Sequence, residues 1–283
     1  MDSSLPHAIR ETITRARAAL AEAEALVIGA GAGMGVDSGL PDFRGDAGFW
    51  EAYPPYRALG FGFQHLANPR SFKVDPALGW GFYGHRQALY AATTPHPGFR
   101  MVRDFAARLR HGAFVFTSNV DGQFTRAGFA PDRVVECHGS IHHQQCLTQC
   151  TDAIWPATPA PSIEMTTMRA TEPLPRCARC GGLARPNILM FGDAGWLGAR
   201  TDAQHDRYAR WLSELGRSRL VILEFGAGEA IATVRSTCEA LAAGRGATLI
   251  RVNPREPQGP RGTLSLPMGA LAACEALLGA PDA

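Results

Sequence analysis

A glycine-rich run near the start of the chain has the composition of a phosphate-binding loop. It covers residues 31–45, begins with Gly31, Ala32 and Gly33, and follows the apolar segment 25–28. Glycines let backbone N–H groups approach a phosphate without interference from a Cβ atom. The run therefore predicts a diphosphate site after a buried strand. The strict dehydrogenase fingerprint G-x-G-x-x-G is absent, which disfavours a plain dehydrogenase.

Four of the seven cysteines form two close pairs with the spacing of a metal site. Three residues separate Cys146 from Cys150, and two separate Cys177 from Cys180. Thiolates bind zinc strongly, and two short knuckles can supply four sulfur ligands in a tetrahedron. The pattern predicts one structural zinc ion. The alternative is that some of these residues are ordinary buried cysteines.

Three polar side chains stand where proton transfer or amide recognition could occur. His138 follows the predicted strand 133–135, and imidazole exchanges protons near neutral pH. Asn119 and Asp121 follow the predicted strand 113–116, and an amide with a carboxylate can bind a carboxamide group. On residue type alone, a packed histidine and a simple turn would be the preferred interpretations.

The elements that would position these residues alternate along the chain. Helical patterns at 98–110, 204–215 and 233–243 lie between short apolar runs. Such alternation is typical of a doubly wound parallel sheet, which binds ligands at the carboxyl ends of its strands. The predicted strands are 25–28, 113–116, 133–135, 188–191, 220–225 and 248–252.

Several motifs follow one another along the chain. They are Pro41-Asp42-Phe43-Arg44-Gly45 with the glycine run before it, residues 117–122, Cys137-His138-Gly139-Ser140, the two cysteine pairs, Phe191-Gly192-Asp193, Gly226-Ala227-Gly228 and Val252-Asn253-Pro254. In sequence and order these motifs resemble those of sirtuins, the NAD-consuming protein lysine deacylases. The resemblance implies an α/β fold, with a Rossmann-like doubly wound parallel sheet, a smaller zinc-binding module and a helical insertion.

The resemblance, together with two stretches that break the alternation, divides the chain into three parts. Residues 45–95 are predicted to form a cofactor loop and helical insertion. Residues 141–186 are predicted to form the zinc-binding module, in which 151–172 is expected to be a mobile loop. The discontinuous Rossmann-like NAD-binding domain is predicted to comprise residues 1–44, 96–140 and 187–283.

The resemblance also implies roles for individual residues. NAD would be consumed as a co-substrate, with His138 as general base and Asn119 and Asp121 as the other catalytic residues around the reacting ribose. The implied NAD-binding residues are Gly31, Ala32, Gly33, Asp42, Phe43, Arg44, Ser118, Asn119, Asp121, Gly226, Ala227, Gly228 and Asn253. Ser118 stands where the family usually has glutamine, a departure that predicts low turnover or altered acyl chemistry.

The resemblance also implies a substrate site with two parts. One is a segment that pairs with the substrate backbone as an added strand, and the other is a pair of side chains that bind the acyl group. Tyr83 and Arg86 are three residues apart, so they share a face if the segment is helical. They resemble the Tyr-x-x-Arg of sirtuins that remove succinyl, malonyl or glutaryl groups. The alternative is a solvent-facing pair, since three nearby glycines disfavour a helix. The segment implied to pair with the substrate backbone comprises Ile188, Leu189, Met190, Phe191 and Gly192.

The amino-acid composition limits the classes of molecule that this protein is expected to bind. The formal net charge is +2 and 19% of residues are charged, with no block of like charges, so neither nucleic acid nor a membrane surface is an expected partner. No apolar run reaches the roughly 18 residues of a membrane span, and residues 1–24 have the pattern of an amphipathic helix. We expect a cytoplasmic protein whose partners are acylated lysine side chains of other proteins. The oligomeric state is not predicted.

Rival functions use the same pocket. One is transfer of a single ADP-ribose to a protein, or plain hydrolysis of NAD, against which the presence of His138 argues. Another is a scaffold that senses NAD without catalysis. The favoured function is an NAD-dependent deacetylase, desuccinylase or demalonylase that produces nicotinamide, O-acyl-ADP-ribose and free lysine.

Overall fold

A computed structural model describes residues 5–42, 49–50 and 53–279. Phe43, Arg44 and part of the predicted cofactor loop lie outside the described residues.

The helices are α1 (His7–Ala21), α2 (Pro54–Ala58), α3 (Phe63–Leu66), α4 (Pro69–Val74), α5 (Pro76–Ala92), α6 (Pro97–Ala106), α7 (Gln123–Arg126), α8 (Ala199–Glu214), α9 (Thr233–Arg245) and α10 (Ala270–Leu278), with 3-10 helices at Ala32–Ser38 and Pro131–Arg133. The strands are β1 (Ala25–Ala30), β2 (Ala113–Thr117), β3 (Val134–Glu136), β4 (Gly139–Cys146), β5 (Ile154–Pro156), β6 (Ile163–Glu164), β7 (Arg169–Ala170), β8 (Ala184–Ile188), β9 (Leu220–Phe225), β10 (Thr248–Val252) and β11 (Leu264–Leu266).

Six parallel strands form the main sheet, in the order β11-β10-β9-β1-β2-β3. The order runs outward in both directions from the central pair β1 and β9, as in the doubly wound dinucleotide-binding fold. The predicted fold class is confirmed. Strands β9 and β10 have the predicted limits, while the predicted strand 188–191 is wrong, because the strand there is β8 and ends at Ile188.

Alternate residues of β1 enter separate hydrophobic cores on the two faces of the sheet. Leu26 and Ile28 pack in the core that contains buried residues of α1, α6 and α10. Ala25 and Val27 pack in the core that contains residues of α8 and α9. Successive side chains of a strand point to opposite faces, so a fully apolar strand is covered on both sides by helices.

A second lobe carries the zinc-module residues and the helical insertion. Strands β5, β4 and β8 form an antiparallel sheet, and β6 pairs with β7 in a hairpin. The expectation that residues 151–172 form a loop is wrong, because they contain β5 and this hairpin, which packs against α5. Met168, between its two strands, is 1% exposed.

The glycines of α5 explain how the hairpin approaches so closely. A Cβ atom on Gly81 would lie 1.9 Å from the carbonyl oxygen of Met168, and one on Gly84 would lie 3.1 Å from Ile163 Cδ1. The helix forms despite its glycines because Asp75 caps it, accepting a hydrogen bond from the N–H of Leu78 at 3.0 Å. Three glycines are therefore compatible with a helix here, since Gly81 and Gly84 are covered by the hairpin and Gly79 is covered by Phe72 of α4.

Within the described part of the chain, every helix is too short or too polar to cross a bilayer. The cytoplasmic location stays a prediction.

Candidate active site

Two glycine-rich loops meet where the strand order of the main sheet reverses. Strands β1 and β9 are neighbours, and they end directly before Gly31 and Gly226. The N–H group of Gly33 donates to the carbonyl oxygen of Gly226 at 3.2 Å. A Cβ atom on Gly226 would lie 2.3 Å from the Cα atom of Gly33, so glycine is needed for this approach. The contact lies at the switch point where ligands bind in doubly wound sheets.

A cleft of about 880 Å³ lies at this switch point and reaches the helical insertion. Most of the residues predicted to bind NAD or to act in catalysis line it. They are Gly31, Ala32, Asp42, Ser118, Asn119, Asp121, His138, Gly226, Ala227 and Gly228. The fold therefore brings chain segments that are far apart in sequence to a single crevice.

Asn119 is held against the first glycine loop by its own side chain. Its Nδ2 atom donates to the carbonyl oxygen of Gly31 at 3.0 Å, and its backbone N–H donates to Thr117 Oγ1 at 3.0 Å. The Thr117 hydroxyl in turn donates to the carbonyl oxygen of Ala30 at 2.8 Å. These bonds connect the end of β2 to the end of β1, so the position of Asn119 is determined by the sheet itself.

Asp121 is a buried carboxyl group in the cleft wall. Its Oδ1 atom accepts a hydrogen bond from the N–H of Gln123, the first residue of α7, at 2.9 Å. Burial raises the pKa of Asp121 from 3.8 to about 6, although the Gln123 hydrogen bond and the charge of Arg86 oppose the shift. The group is therefore ionised at neutral pH and can accept hydrogen bonds from an amide.

His138 lies between β3 and β4 and lines the cleft. Burial lowers the pKa of its imidazole below 6.5, and a hydrogen bond to the Ser118 backbone opposes the shift. The ring is neutral at pH 7 and able to take a proton. Position 118 thus contacts the histidine through its backbone, a contact for which the identity of the side chain does not matter.

The segment after β8 forms one edge of the cleft. Ile188, Leu189, Met190 and Phe191 line it, whereas Gly192 lies outside the lining, in the left-handed conformation with φ of +63°. The N–H of Leu189 donates to the carbonyl oxygen of His138 at 2.9 Å, and its side chain is 39% exposed. After Ile188 the segment is irregular and ends in a turn at Phe191 and Gly192, beside the ladder of β4 and β8.

Tyr83 and Arg86 are both in the cleft wall, on α5. Their exposed fractions are 1% and 7%, so the alternative of a solvent-facing pair is wrong. Burial raises the pKa of Tyr83 to about 12, so the phenol is uncharged at neutral pH.

Sequence reasoning missed several polar residues of the cleft, among them Tyr90 and Glu256. Tyr90 follows Arg86 by four residues, a spacing that identifies it once the segment is known to be helical. Glu256 follows Asn253 by three residues in a loop, and no local pattern distinguishes it from other surface acids.

Asn253 supports the glycine loop at 226–228 through a hydrogen bond. It is fully buried and does not line the cleft. Its Nδ2 atom donates to the carbonyl oxygen of Ala227 at 3.0 Å, and its Oδ1 atom accepts from the N–H groups of Arg255 and Glu256, each at 3.0 Å. Its contact to any ligand would therefore be indirect, through the loop it holds.

The four predicted metal ligands come together in the second lobe. Their Sγ atoms all lie within 4.8 Å of one another, with Cys146 at 3.8 Å from Cys180 and Cys150 at 3.6 Å from Cys177. A tetrahedron with zinc–sulfur bonds of about 2.3 Å has sulfur–sulfur edges of about 3.8 Å. The donor set and its spacing fit zinc, and the alternative of unrelated buried cysteines is wrong.

Comparison with known proteins gives one consistent family. Residues 31–210 match the Sir2 family. An NAD-dependent protein deacylase of Methylococcus capsulatus is 34% identical over 78% of this chain and 78% of its own length. The mitochondrial NAD-dependent protein deacylase sirtuin-5 of Canis lupus familiaris is 36% identical over 56% of this chain and 53% of its own length.

Solved structures give the same result. A Sir2 homologue mutant in complex with ADP-ribose matches with a TM-score of 0.67 and 28% identity, over 96% of this chain and 95% of that one. A Sir2 homologue in complex with NAD matches with a TM-score of 0.67 and 26% identity, over 93% of this chain and 92% of that one.

Proposed function

Because this chain belongs to the Sir2 family, we infer that it is an NAD-dependent protein lysine deacylase. The reaction consumes NAD and an acylated lysine and releases nicotinamide, O-acyl-ADP-ribose and free lysine. The observation that carries this conclusion is the meeting of the two glycine loops, the 118–121 segment and His138 in one cleft. Glycine loops alone would hold a diphosphate, whereas the other groups add amide recognition and proton transfer.

We assign the diphosphate of NAD to the loop at 31–33 and its adenosine half to the loop at 226–228. The close approach of Gly33 to Gly226 supports this assignment, because it leaves backbone at the carboxyl ends of two adjacent strands without side chains in between. Asn253 holds the second loop through Ala227. Asp42, at the entrance of the cofactor loop, completes this side of the cleft.

We assign the nicotinamide carboxamide and the adjoining ribose to Asn119 and Asp121. An ionised carboxylate accepts the amide N–H groups, and a side-chain amide supplies a further acceptor. His138, neutral at pH 7 because burial lowers its pKa, is assigned as the base that takes a proton from a ribose hydroxyl. The acylated peptide would lie along the segment 188–191 at the edge of the cleft, pairing with it through backbone hydrogen bonds as an added strand.

We also propose that the preferred acyl groups carry a carboxylate. Arg86 lies in the cleft wall with Tyr83 beside it, and a guanidinium can bind a carboxylate through charge-assisted hydrogen bonds. An acetyl group offers no charge to offset the burial of this cation. Succinyl, malonyl or glutaryl lysine does.

The test is a set of peptides that differ only in the acyl group, assayed with NAD and analysed by mass spectrometry. O-acyl-ADP-ribose is the expected product, and its absence from His138→Ala is the expected control. Free ADP-ribose or an ADP-ribosylated protein as the main product would support the rival activities. NAD binding without nicotinamide release would support the scaffold.

The same assay tests the acyl preference. Arg86→Met is expected to lower the ratio of desuccinylation to deacetylation by roughly ten- to a hundredfold, because it removes charge-assisted hydrogen bonds. The matched control is Arg100→Met, an exposed arginine on α6 outside the cleft, which should leave the ratio unchanged. Equal loss of both activities in Arg86→Met would reject the acidic-acyl preference and leave the deacylase conclusion standing.

A further inference from the structure

Helix α5 places a second tyrosine one turn beyond Arg86. Tyr90 follows Arg86 by four residues, so the two side chains lie on the same face. The Tyr90 hydroxyl oxygen accepts two hydrogen bonds from the guanidinium, one from Nε at 2.9 Å and one from Nη2 at 2.6 Å. Tyr90 is 5% exposed, and both residues line the cleft. The arginine is therefore oriented inside the cleft wall.

Aromatic rings surround the same guanidinium. Its Cζ atom lies 5.2 Å from the ring centre of Phe82, 5.8 Å from that of Tyr83 and 5.4 Å from that of Tyr90. Cation–π contacts stabilise a desolvated cation but restrict its direction weakly. A hydrogen bond has a preferred distance and angle. The phenol of Tyr90 therefore contributes directional restraint that the rings alone do not provide.

Tyr90 is also hydrogen-bonded to the helix that follows Asp121. Its carbonyl oxygen accepts hydrogen bonds from Gln123 Nε2 at 3.3 Å and Arg126 Nη1 at 3.2 Å. Gln123 and Arg126 are the first and last residues of α7, which begins two residues after Asp121. The backbone that carries this phenol is therefore held both by its place in α5 and by hydrogen bonds from α7.

A phenol and a carboxylate differ as partners of an arginine. Both accept from the guanidinium, but a neutral phenol orients the group without cancelling its charge. Burial raises the pKa of Tyr90, which keeps it uncharged at neutral pH. A guanidinium oriented in this way retains its positive charge toward an incoming carboxylate.

We propose that Tyr90 is a positioning residue that sets the preference for acyl groups bearing a carboxylate, by holding the guanidinium of Arg86 in the cleft wall. The proposal rests on the acidic-acyl preference proposed above and adds the residue on which that preference depends.

The test is Tyr90→Phe, which removes one oxygen atom and keeps the ring. We expect the ratio of kcat/KM for succinyl-lysine to that for acetyl-lysine to fall about tenfold, mainly through a higher KM for the succinyl peptide. Thermal unfolding would establish that the variant folds. Tyr90→Met, which also lacks the acceptor, replaces it if Tyr90→Phe does not fold.

The matched control is Tyr208→Phe. Tyr208 lies on α8 in the core on one face of the main sheet, away from the cleft, and its buried hydroxyl has no hydrogen-bond partner among the described residues. Losing this hydroxyl should leave the acyl ratio unchanged. In an Arg86→Met background, Tyr90→Phe should change the ratio less than about twofold, because the group it positions is gone.

The possible results distinguish the positioning role of Tyr90 from the acidic-acyl preference of Arg86. If Arg86→Met lowers the ratio and Tyr90→Phe does not, the positioning role is wrong and the acidic-acyl preference stands. If Tyr90→Phe lowers both activities equally, Tyr90 has only a packing role and the inference is overturned. If Arg86→Met leaves the ratio unchanged, the acidic-acyl preference and this inference both fail.

Discussion

His138 and Asp121 lie in the same cleft, and burial moves their pKa values in opposite directions. Burial disfavours the charged form of each group, so it lowers the pKa of the imidazole and raises that of the carboxyl group to about 6. At pH 7 and above, the histidine is neutral and the carboxylate is mostly ionised. This is the combination that a base beside an amide-binding acceptor requires.

The pKa of Asp121 gives a prediction for NAD binding. As the pH falls below about 6 the carboxylate gains a proton and loses its capacity to accept from both amide N–H atoms of the carboxamide. We expect the Kd for NAD to rise up to about tenfold between pH 7 and pH 5, measured by calorimetry. The variant Asp121→Asn should bind NAD more weakly than the wild type, with a Kd that hardly changes with pH. An unchanged wild-type Kd, or the same slope in Asp121→Asn, would contradict the assignment.

The residue types of the site can be read from the sequence, but their environments cannot. The order of the motifs identifies His138, Asn119 and Asp121 as candidates. Their burial, and the contact of His138 with the Ser118 backbone, depend on strands that are distant in sequence. The partnership of Arg86 with Tyr90 is local, yet the sequence conceals it because the glycines of α5 disfavour a helix.

At the scale of elements, α5 and the hairpin of β6 and β7 form one unit. The hairpin packs against Gly81 and Gly84 of the helix. The same helix places Tyr83 and Arg86 in the cleft wall. Low helix propensity at three positions argues against the helix when the sequence is considered alone. The packing explains why a helix forms there, because the missing side chain of Gly81 allows the helix backbone to contact the backbone at Met168.

Gly81 is the position where this contact is closest. A Cβ atom there would lie 1.9 Å from the carbonyl oxygen of Met168, so the hairpin would have to move. Gly81→Ala is expected to lower the free energy of unfolding by about 1–3 kcal/mol, measured by denaturant unfolding.

The matched control for Gly81→Ala is Gly244→Ala. Gly244 is an exposed glycine of α9, and a Cβ atom added there would have open space around it, with no other described part of the chain within 4 Å. The change should be neutral or stabilising by up to about 1 kcal/mol, because alanine favours a helix more than glycine does. Equal effects of the two changes would disprove the close-packing account.

The segment 188–191 shows the limit of an apolar pattern at this scale. The sequence predicts a strand there because the segment is apolar and bounded by turn residues. The ladder of β4 and β8 ends where Gly139 pairs with Ile188, and the following residues form the edge of the cleft. An apolar run can belong to a core strand or to an edge that accepts a partner, and the difference lies in what stands beside it.

At the scale of the whole molecule, one ladder connects the metal site to the catalytic cleft. Strand β4 begins at Gly139, next to His138, and ends at Cys146, while β8 runs from Ala184, opposite Cys146, to Ile188. The metal would therefore hold one end of the ladder whose other end forms the cleft. Zinc here supplies a structural crosslink between the four thiolates.

Metal removal tests this connection. The protein as purified is expected to contain one zinc ion per chain. Chelation should lower deacylase activity and increase amide hydrogen exchange along β4 and β8, while β9 and β10 in the main sheet remain protected. Adding zinc back should restore both properties. Full activity with unchanged exchange after complete removal of the metal would show that the ladder does not depend on it.

The sequence alone determined which chemical groups this protein has and the order in which they come. Glycines at strand ends, two cysteine pairs and a histidine after a strand are local features, and local spacing is sufficient to recognise them. The limits of β9 and β10 were predictable for the same reason, because a short apolar run between polar segments is typical of a buried strand.

Only the tertiary structure decided how these groups act together. The strand order places β1 beside β9, although 189 residues of chain separate Ala30 from Leu220, and this adjacency creates the switch point where the loops meet. Cys146 approaches Cys180 and Cys150 approaches Cys177, across the two pairs. Burial, pKa and the position of a charge depend on neighbours that are distant along the chain, and a spacing pattern contains no information about those neighbours.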